Sequence, residues 1–143
     1  MRFFAERSVL QRIALIYFVI LAVVASLNYL PFPWLKDDQG LICGIFALDP
    51  FDDLLHVGSA LWALYAGWRS QAAARRYLIV FGALYLGDGV VGLMTAYGYL
   101  DFGIWRFDWE PPTLSFGRVA ANLPHITLGG YALWAGVFLS RRA

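Results

Sequence analysis

The sequence predicts an all-α fold, an integral membrane four-helix bundle built from two tandem helical hairpins with pseudo-two-fold symmetry. Three observations lead there. Hydrophobic residues make up 60% of the chain and charged residues 15%, an apolar share too large for a small water-soluble domain, which needs far more polar surface. Four apolar stretches, Ile13–Leu30, Pro50–Trp68, Tyr77–Tyr97 and Val119–Leu139, each approach the ~20 residues that cross a ~30 Å hydrocarbon layer. The chain also repeats itself: residues 53–67 align without a gap on residues 122–136, superimposing the only two histidines, His56 and His125. A second echo, Tyr29–Trp34 in Tyr99–Trp105, keeps nearly the same offset of about 70 residues, roughly half the chain. One transmembrane domain, residues 1–143, is expected, with repeat 1 over about residues 8–70 and repeat 2 over about 76–140.

The first stretch follows a basic start, Met1 to Arg7, and has no small-residue cleavage site behind it, so it reads as a retained membrane helix rather than a removed signal. The second is short and opens with Asp52 and Asp53. Asp49-Pro50 has the form of a helix start, Asp as N-cap and Pro at the first helical position, and Asn122 can cap the helix that carries Pro124 and His125. The third is rich in Gly and Tyr and holds Asp88 near its middle; the fourth carries the second copy of the repeat.

Charge is separated between the two sides. Arg2, Arg7, Arg12, Arg69, Arg75, Arg76, Arg141 and Arg142 flank one side, whereas the other two loops hold only Lys36, Arg106 and Arg118. Those loops carry eight carboxylates: Asp37, Asp38, Asp49, Asp52, Asp53, Asp101, Asp108 and Glu110. The cation-rich side is the cytoplasmic one, which places both termini in the cytoplasm. No basic stripe suits nucleic acid. The partners expected are the lipid bilayer, with other membrane subunits or a homodimer left open. The lone Cys43 excludes an intramolecular disulfide, a CxxC pair and a Cys-rich metal site, and its apolar surroundings predict a buried, inert thiol.

The acidic loops are also aromatic. Trp34, Trp105 and Trp109, with Phe32, Tyr99, Phe102 and Phe107, mix rings with charges as residues at headgroup depth do. Residues 100–116 are therefore expected to lie flat on the outer leaflet, anchoring there or covering a site between the helices. Pro111 and Pro112 end any helix in that segment.

His56 and His125 each lie six residues beyond the expected starts at Pro50 and Val119, roughly 9 Å below the outer boundary at ~1.5 Å per residue. The two helices run the same way, so an axis along the membrane normal brings the imidazoles face to face. His56, Ala60, Ala63 and Gly67 share one helix face, and His125, Gly129, Ala132 and Gly136 repeat the spacing. Such small-residue stripes allow close helix contact or make room for a flat prosthetic group. Neutral imidazole is the ligand form. His56 and His125 are thus the candidate cofactor or metal ligands, with haem b or a divalent metal as the occupants considered and the cofactor's identity left unknown. Asp52 or Asp53 is placed to orient His56, and Asn122 to orient His125, as outer partners of metal-ligating histidines do. The same pairs also serve as plain local hydrogen bonds.

Asp88 is an intramembrane carboxylate, a position that favours an inward-facing or functional role. Tyr85, Gly92 and Thr95 share its face, and Asn28, Ser59 and Thr127 are its expected partners. Counted back nine residues from Tyr97, it lies roughly 13 Å deep, a turn below the histidines. A proton or cation step and a packing hydrogen bond both fit that position.

The Asp/Asn-x-x-His pattern, with a small-residue helix ending in Ala-Gly, recurs in the second and fourth stretches around an Arg-rich loop. In Asp53 with His56, Gly67, Asn122 with His125, and Gly136 the chain resembles the domain of unknown function 4383 family, small bacterial four-helix membrane proteins. The resemblance covers residues 13–139, departs in the long loop 99–118, and implies the fold and a bacterial inner-membrane location without supplying an activity. A small non-enzymatic membrane protein or accessory subunit is the first functional reading; a proton- or cation-coupled transporter using Asp88 is the alternative. The sequence has no Ser-His-Asp arrangement, HExxH or phosphate loop, so no catalytic residue is assigned.

Overall fold

The computed structural model describes residues 6–139; Arg2, Arg141 and Arg142 lie outside them. The described chain is helical, with no strand. Its elements are α1 (Val9–Ser26) running into a 3-10 turn (Leu27–Tyr29), α2 (Pro50–Arg69), α3 (Gln71–Thr95), the one-turn α4 (Gly103–Arg106) and α5 (Phe116–Phe138).

Local chemistry sets most boundaries. Ser8 and Gln11 form a capping box at the start of α1, and Asp49 forms another with Asp52 at α2, with Pro50 in the first turn. This is the helix start expected from Asp49-Pro50. Ser70 alone joins α2 to α3: its extended backbone ends one helix, and its hydroxyl accepts from Ala73 N to open the next. Helix α3 stops at Ala96, which takes a left-handed conformation at φ 73°.

The start of α5 differs from expectation. Ser115, not Asn122, is the N-cap, accepting from Arg118 N, and Pro124 lies inside the helix. Proline lacks one N–H and displaces one carbonyl there, but the preceding turn is already formed and the helix runs through it. Asn122 instead donates to Arg118 O at 2.9 Å.

The packing pairs α1 with α2 and α3 with α5 most extensively, with lighter contact of α3 on α1 and α2. The small-residue stripes mediate the two main pairings. Gly67 faces Leu15, and Gln11 Nε2 donates to Gly67 O at 3.0 Å. Gly82 and Gly129 meet where α3 crosses α5, and a Cβ on either would collide with the other helix's backbone. Gly89 and Gly92 also face α5, against Ile126 and Asn122. The stripes are therefore close-contact surfaces within the chain, and the slot for a flat prosthetic group along them is closed.

Between the pairs runs an aromatic column on one face of α3. Tyr77 stacks on Phe81 at 5.1 Å and Phe81 on Tyr85 at 4.0 Å, with Tyr17 edge-on to Phe81 at 5.4 Å. These rings are almost completely buried.

Two helices, α1 with its 3-10 turn and α3, are long and apolar enough to cross a membrane. The other two expected spans, α2 and α5, have 20 and 23 residues, and α2 carries Asp52, Asp53 and Arg69 within its length. Cys43 is exposed rather than buried. Its φ of 54° places it in the tight turn that buries Ile42, its neighbour, to 1% exposure; the apolar segment spends its burial on Ile42 and turns the thiol outward.

Candidate site at the acidic end

The end of the molecule where α1 finishes, α2 starts, α3 finishes and α5 starts gathers the polar residues singled out from the sequence. At its centre is Asp88, 2% exposed. One carboxylate oxygen accepts from Tyr99 N at 2.6 Å and Leu100 N at 2.8 Å, and the other meets His125 Nδ1 at 2.6 Å. The left-handed turn at Ala96 makes this possible by folding the following chain back onto α3. Gly98 passes so close that a Cβ there would stand 2.6 Å from both Asp88 oxygens. Tyr99 OH reaches further along the helix, donating to Leu84 O at 2.7 Å.

Asp88 was expected a turn below the histidines, and it is instead bonded to one of them. Two shifts of register explain this. Helix α5 starts at Phe116 and α3 ends at Thr95, so His125 lies nine residues (125 − 116) and Asp88 seven residues (95 − 88) from those ends, roughly 13 and 10 Å. None of Asn28, Ser59 and Thr127 is a partner of Asp88. Asn28 donates to Asp53, Ser59 bonds Tyr85 OH at 2.9 Å, and Thr127 donates to Leu123 O in its own helix.

The two imidazoles are neighbours, with ring centroids 6.1 Å apart at 61°, and Tyr85 stands beside both, 4.9 Å from His125 and 6.5 Å from His56. Their expected orienting partners are engaged elsewhere. Asp53 is held by Asn28 and by Tyr29 OH at 2.9 Å, tying the end of α1 to α2. Asp52 accepts from Asp49 N in the capping box. The group that orients His125 is Asp88. Asp88 already accepts two backbone N–H groups and takes up Nδ1 as well, so that Nε2 is the ring nitrogen left for other partners. His56 is 5% exposed, and its Nδ1 is buried with no hydrogen-bond partner. Thr95, expected on the Asp88 face, closes the end of α3 by donating to Val91 O and Tyr97 O.

These residues line a cavity of about 580 Å³. Asp49, Asp52, Asp88 and Asp101 contribute carboxylates, His56 and His125 imidazoles, and no Lys or Arg reaches the lining. Asp49 is neutralised from outside by Arg106 at 2.6 Å, which also lies over the Phe51 ring. Burial disfavours the charged form of Asp49, but hydrogen bonds from Arg106 and from backbone N–H groups outweigh it and hold the carboxyl below its usual range. Asp101 accepts a backbone N–H from Gly103 and, among the described residues, forms no ion pair. Burial, then the nearby charges of Asp88 and Asp49, push it above the usual carboxylate range. The α1 side of the cavity is apolar, formed by Leu21, Val24 and Leu27, and α5 adds Ala121, Pro124 and Leu128 around Asn122 and His125.

The match to known families covers most of this framework. The family described as a domain of unknown function (DUF4383) matches residues 11–121. The chain belongs to that family. The DUF4383 match takes in His56, Tyr85, Asp88 and Asp101 and ends before His125. No curated protein and no solved structure matches the chain. Among the described residues, no three His, Cys, Asp or Glu side chains are grouped as a metal site. The DUF4383 cavity therefore offers two imidazoles and scattered carboxylates rather than a closed coordination shell.

Proposed function

We propose that this DUF4383 protein is a small non-enzymatic membrane protein that binds a cation in the cavity at its acidic end. The membrane reading places all four long helices in a bacterial inner membrane as a four-helix bundle, with both termini cytoplasmic. Support comes from the outward faces of the two more polar helices. Leu54, Val57, Leu61, Tyr65 and Trp68 on α2, and Leu123, Tyr131, Trp134 and Phe138 on α5, are exposed, while Asp53 and His56 are buried. Apolar outside and polar inside is the distribution that lipid selects. The pseudo-two-fold relation is supported by the equivalent roles of Gly67 and Gly136, each facing the preceding long helix of its own pair. Exposed Trp34, Trp105 and Trp109 suit the outer headgroup layer.

The observation that carries the binding reading is the lining itself: two imidazoles and four carboxylates around one cavity, without a lining Lys or Arg. Haem fits this space poorly, because the helix faces below His56 and His125 are closed by packing. A bare divalent ion has two imidazole ligands available and no third side chain grouped with them. Coupled transport through Asp88 is the weaker reading. Asp88 is fully hydrogen-bonded, and the aromatic column of Tyr85, Phe81 and Tyr77 fills the core beneath it.

The test is thermal stabilisation of the detergent-solubilised protein by a panel of cations and anions, with an absorption spectrum of the same sample. Cations, but not phosphate or sulfate, are expected to raise the midpoint, and His56→Ala and His125→Ala to abolish the shift. Stabilisation by anions, or equal shifts in both variants, defeats the reading; a Soret band lost in either variant establishes haem instead.

A further inference from the structure

The cation's chemistry follows from the shape of the cavity, in an argument that rests on the cation-binding reading above. At about 580 Å³ the cavity is far larger than a hydrated ion needs and falls in the size range of small-molecule sites. Its polar groups include carboxylates with little to hold them. Asp52 and Asp101 each accept a single backbone N–H, from Asp49 and Gly103 respectively, and among the described residues neither forms an ion pair. His56 adds a buried Nδ1 without a partner. Tyr97 and Phe107, stacked at 4.9 Å, stand in the same lining. Carboxylates beside aromatic faces are the recognition chemistry of an alkylated ammonium.

Another part of the lining comes from the cleft between α1 and α5. Helices α1 and α5 lack the extensive packing of the α1–α2 and α3–α5 pairs; Tyr17 OH bridges them at Leu128 O, 2.7 Å. Above that bridge Leu21 and Val24 of α1 and Pro124 and Leu128 of α5 give the lining apolar side chains, with His125 the polar group next to Pro124. The cleft lies at the depth of lipid in the membrane reading, and a hydrocarbon chain is the occupant such walls accept.

We propose that the cavity binds a cationic amphiphile, an organic ammonium held by Asp52 and Asp101 with its apolar tail in the cleft between α1 and α5. The ligand reaches the site from the bilayer rather than from water. Binding is non-covalent, and no bond is made or broken.

The experiment is equilibrium binding to the solubilised full-length protein, with dodecyltrimethylammonium, benzyltrimethylammonium, dodecyl alcohol and Zn²⁺ as separate probes. Dodecyltrimethylammonium is expected to bind saturably at one site per chain, with dodecyl alcohol, of equal tail, failing to compete. Asp52→Asn and Asp101→Asn should each weaken it at least about tenfold, the loss expected when a buried charge partner is removed. Asp52→Glu should restore most of the affinity, and Asp38→Asn, on an exposed residue outside the cavity, should leave it unchanged. Because Asp52 also caps α2, the Asp101 variant decides if Asp52→Asn fails to fold. Saturable Zn²⁺ binding without dodecyltrimethylammonium binding overturns the amphiphile and keeps the cation reading. Binding of benzyltrimethylammonium alone overturns access from the bilayer. If no cation binds, both readings fall together.

Discussion

Replacing Asp88 separates its structural work from its effect on His125. In Asp88→Ala three donors lose their acceptor at once: Tyr99 N, Leu100 N and His125 Nδ1. Each unsatisfied buried donor costs about 1–3 kcal/mol, and water entering from the adjoining cavity recovers part of that, so the total loss is expected at about 3–5 kcal/mol. That is a large fraction of the roughly 5–15 kcal/mol that holds a typical domain together. Asp88→Asn behaves differently. Its carbonyl oxygen still accepts from both backbone N–H groups, and its NH₂ faces His125 Nδ1, which accepts once the ring proton moves to Nε2. The stability loss should be only about 1 kcal/mol, yet the carboxylate that orients the His125 ring is gone. The assay is reversible unfolding in detergent, read with hydrogen exchange at the Tyr99 and Leu100 amides and with cation binding. Asp88→Ala should unprotect both amides; Asp88→Asn should keep them protected and weaken binding. Equal stabilities for the two variants, or a loss below about 1 kcal/mol in Asp88→Ala, would refute the assignment of Asp88 as the acceptor that pins the chain after Ala96 onto α3.

Three further outcomes follow from the packing and the loops. Gly82→Ala and Gly129→Ala each drive a Cβ into the facing backbone and should cost about 1–3 kcal/mol in thermal unfolding, whereas Gly58→Ala and Gly130→Ala, with open space around the new Cβ, should be neutral or gain up to about 1 kcal/mol of helix propensity. The Asp49 carboxyl is held below its usual range by Arg106 and backbone N–H groups, so its contribution to stability is present above the ordinary carboxylate pKa and is lost as pH falls through the lowered folded value; Arg106→Gln should flatten the acid limb of a stability–pH profile. Cys43, exposed in its turn, should react with a membrane-impermeant maleimide in spheroplasts without detergent, and labelling only after permeabilisation would invert the assigned topology.

The sequence was most informative where chemistry is local. The N-cap and proline of Asp49-Pro50 marked the start of α2 correctly, because both effects act within one turn. The repeat also brought His56 and His125 into one frame, and they are neighbours. The start of α5 was misplaced because Asn122 and Ser115 are both competent caps, and the choice between them depends on where the preceding loop delivers the chain. The Asp88–His125 bond was illegible for a related reason. It depends on a left-handed turn at Ala96, a residue type with no preference for that conformation, and on backbone donors eleven and twelve residues beyond the carboxylate. No periodic pattern encodes such a contact. Gly98, whose Cβ would strike the carboxylate, is the one trace of it in the sequence, and it is readable only after the fold is known.

The two Asp/Asn-x-x-His segments also differ from one another in their bonding. In the first copy, Asp53 is spent on Asn28 and Tyr29, bracing the end of α1, and His56 is left with a buried Nδ1 and no partner. In the second, the equivalent Asn122 is turned to its own helix, and Asp88 from the neighbouring helix takes over the histidine. The two imidazoles are matched in position and unlike in electrostatics. His125 is bonded to a buried carboxylate, whereas His56 is buried beside Tyr85 with its Nδ1 unpartnered. A symmetric pair clamping one metal would be expected to share one kind of outer partner. The difference instead leaves one imidazole tied to Asp88 and the other with an open nitrogen beside the carboxylates of the same cavity, an arrangement suited to an organic cation rather than to a shared metal.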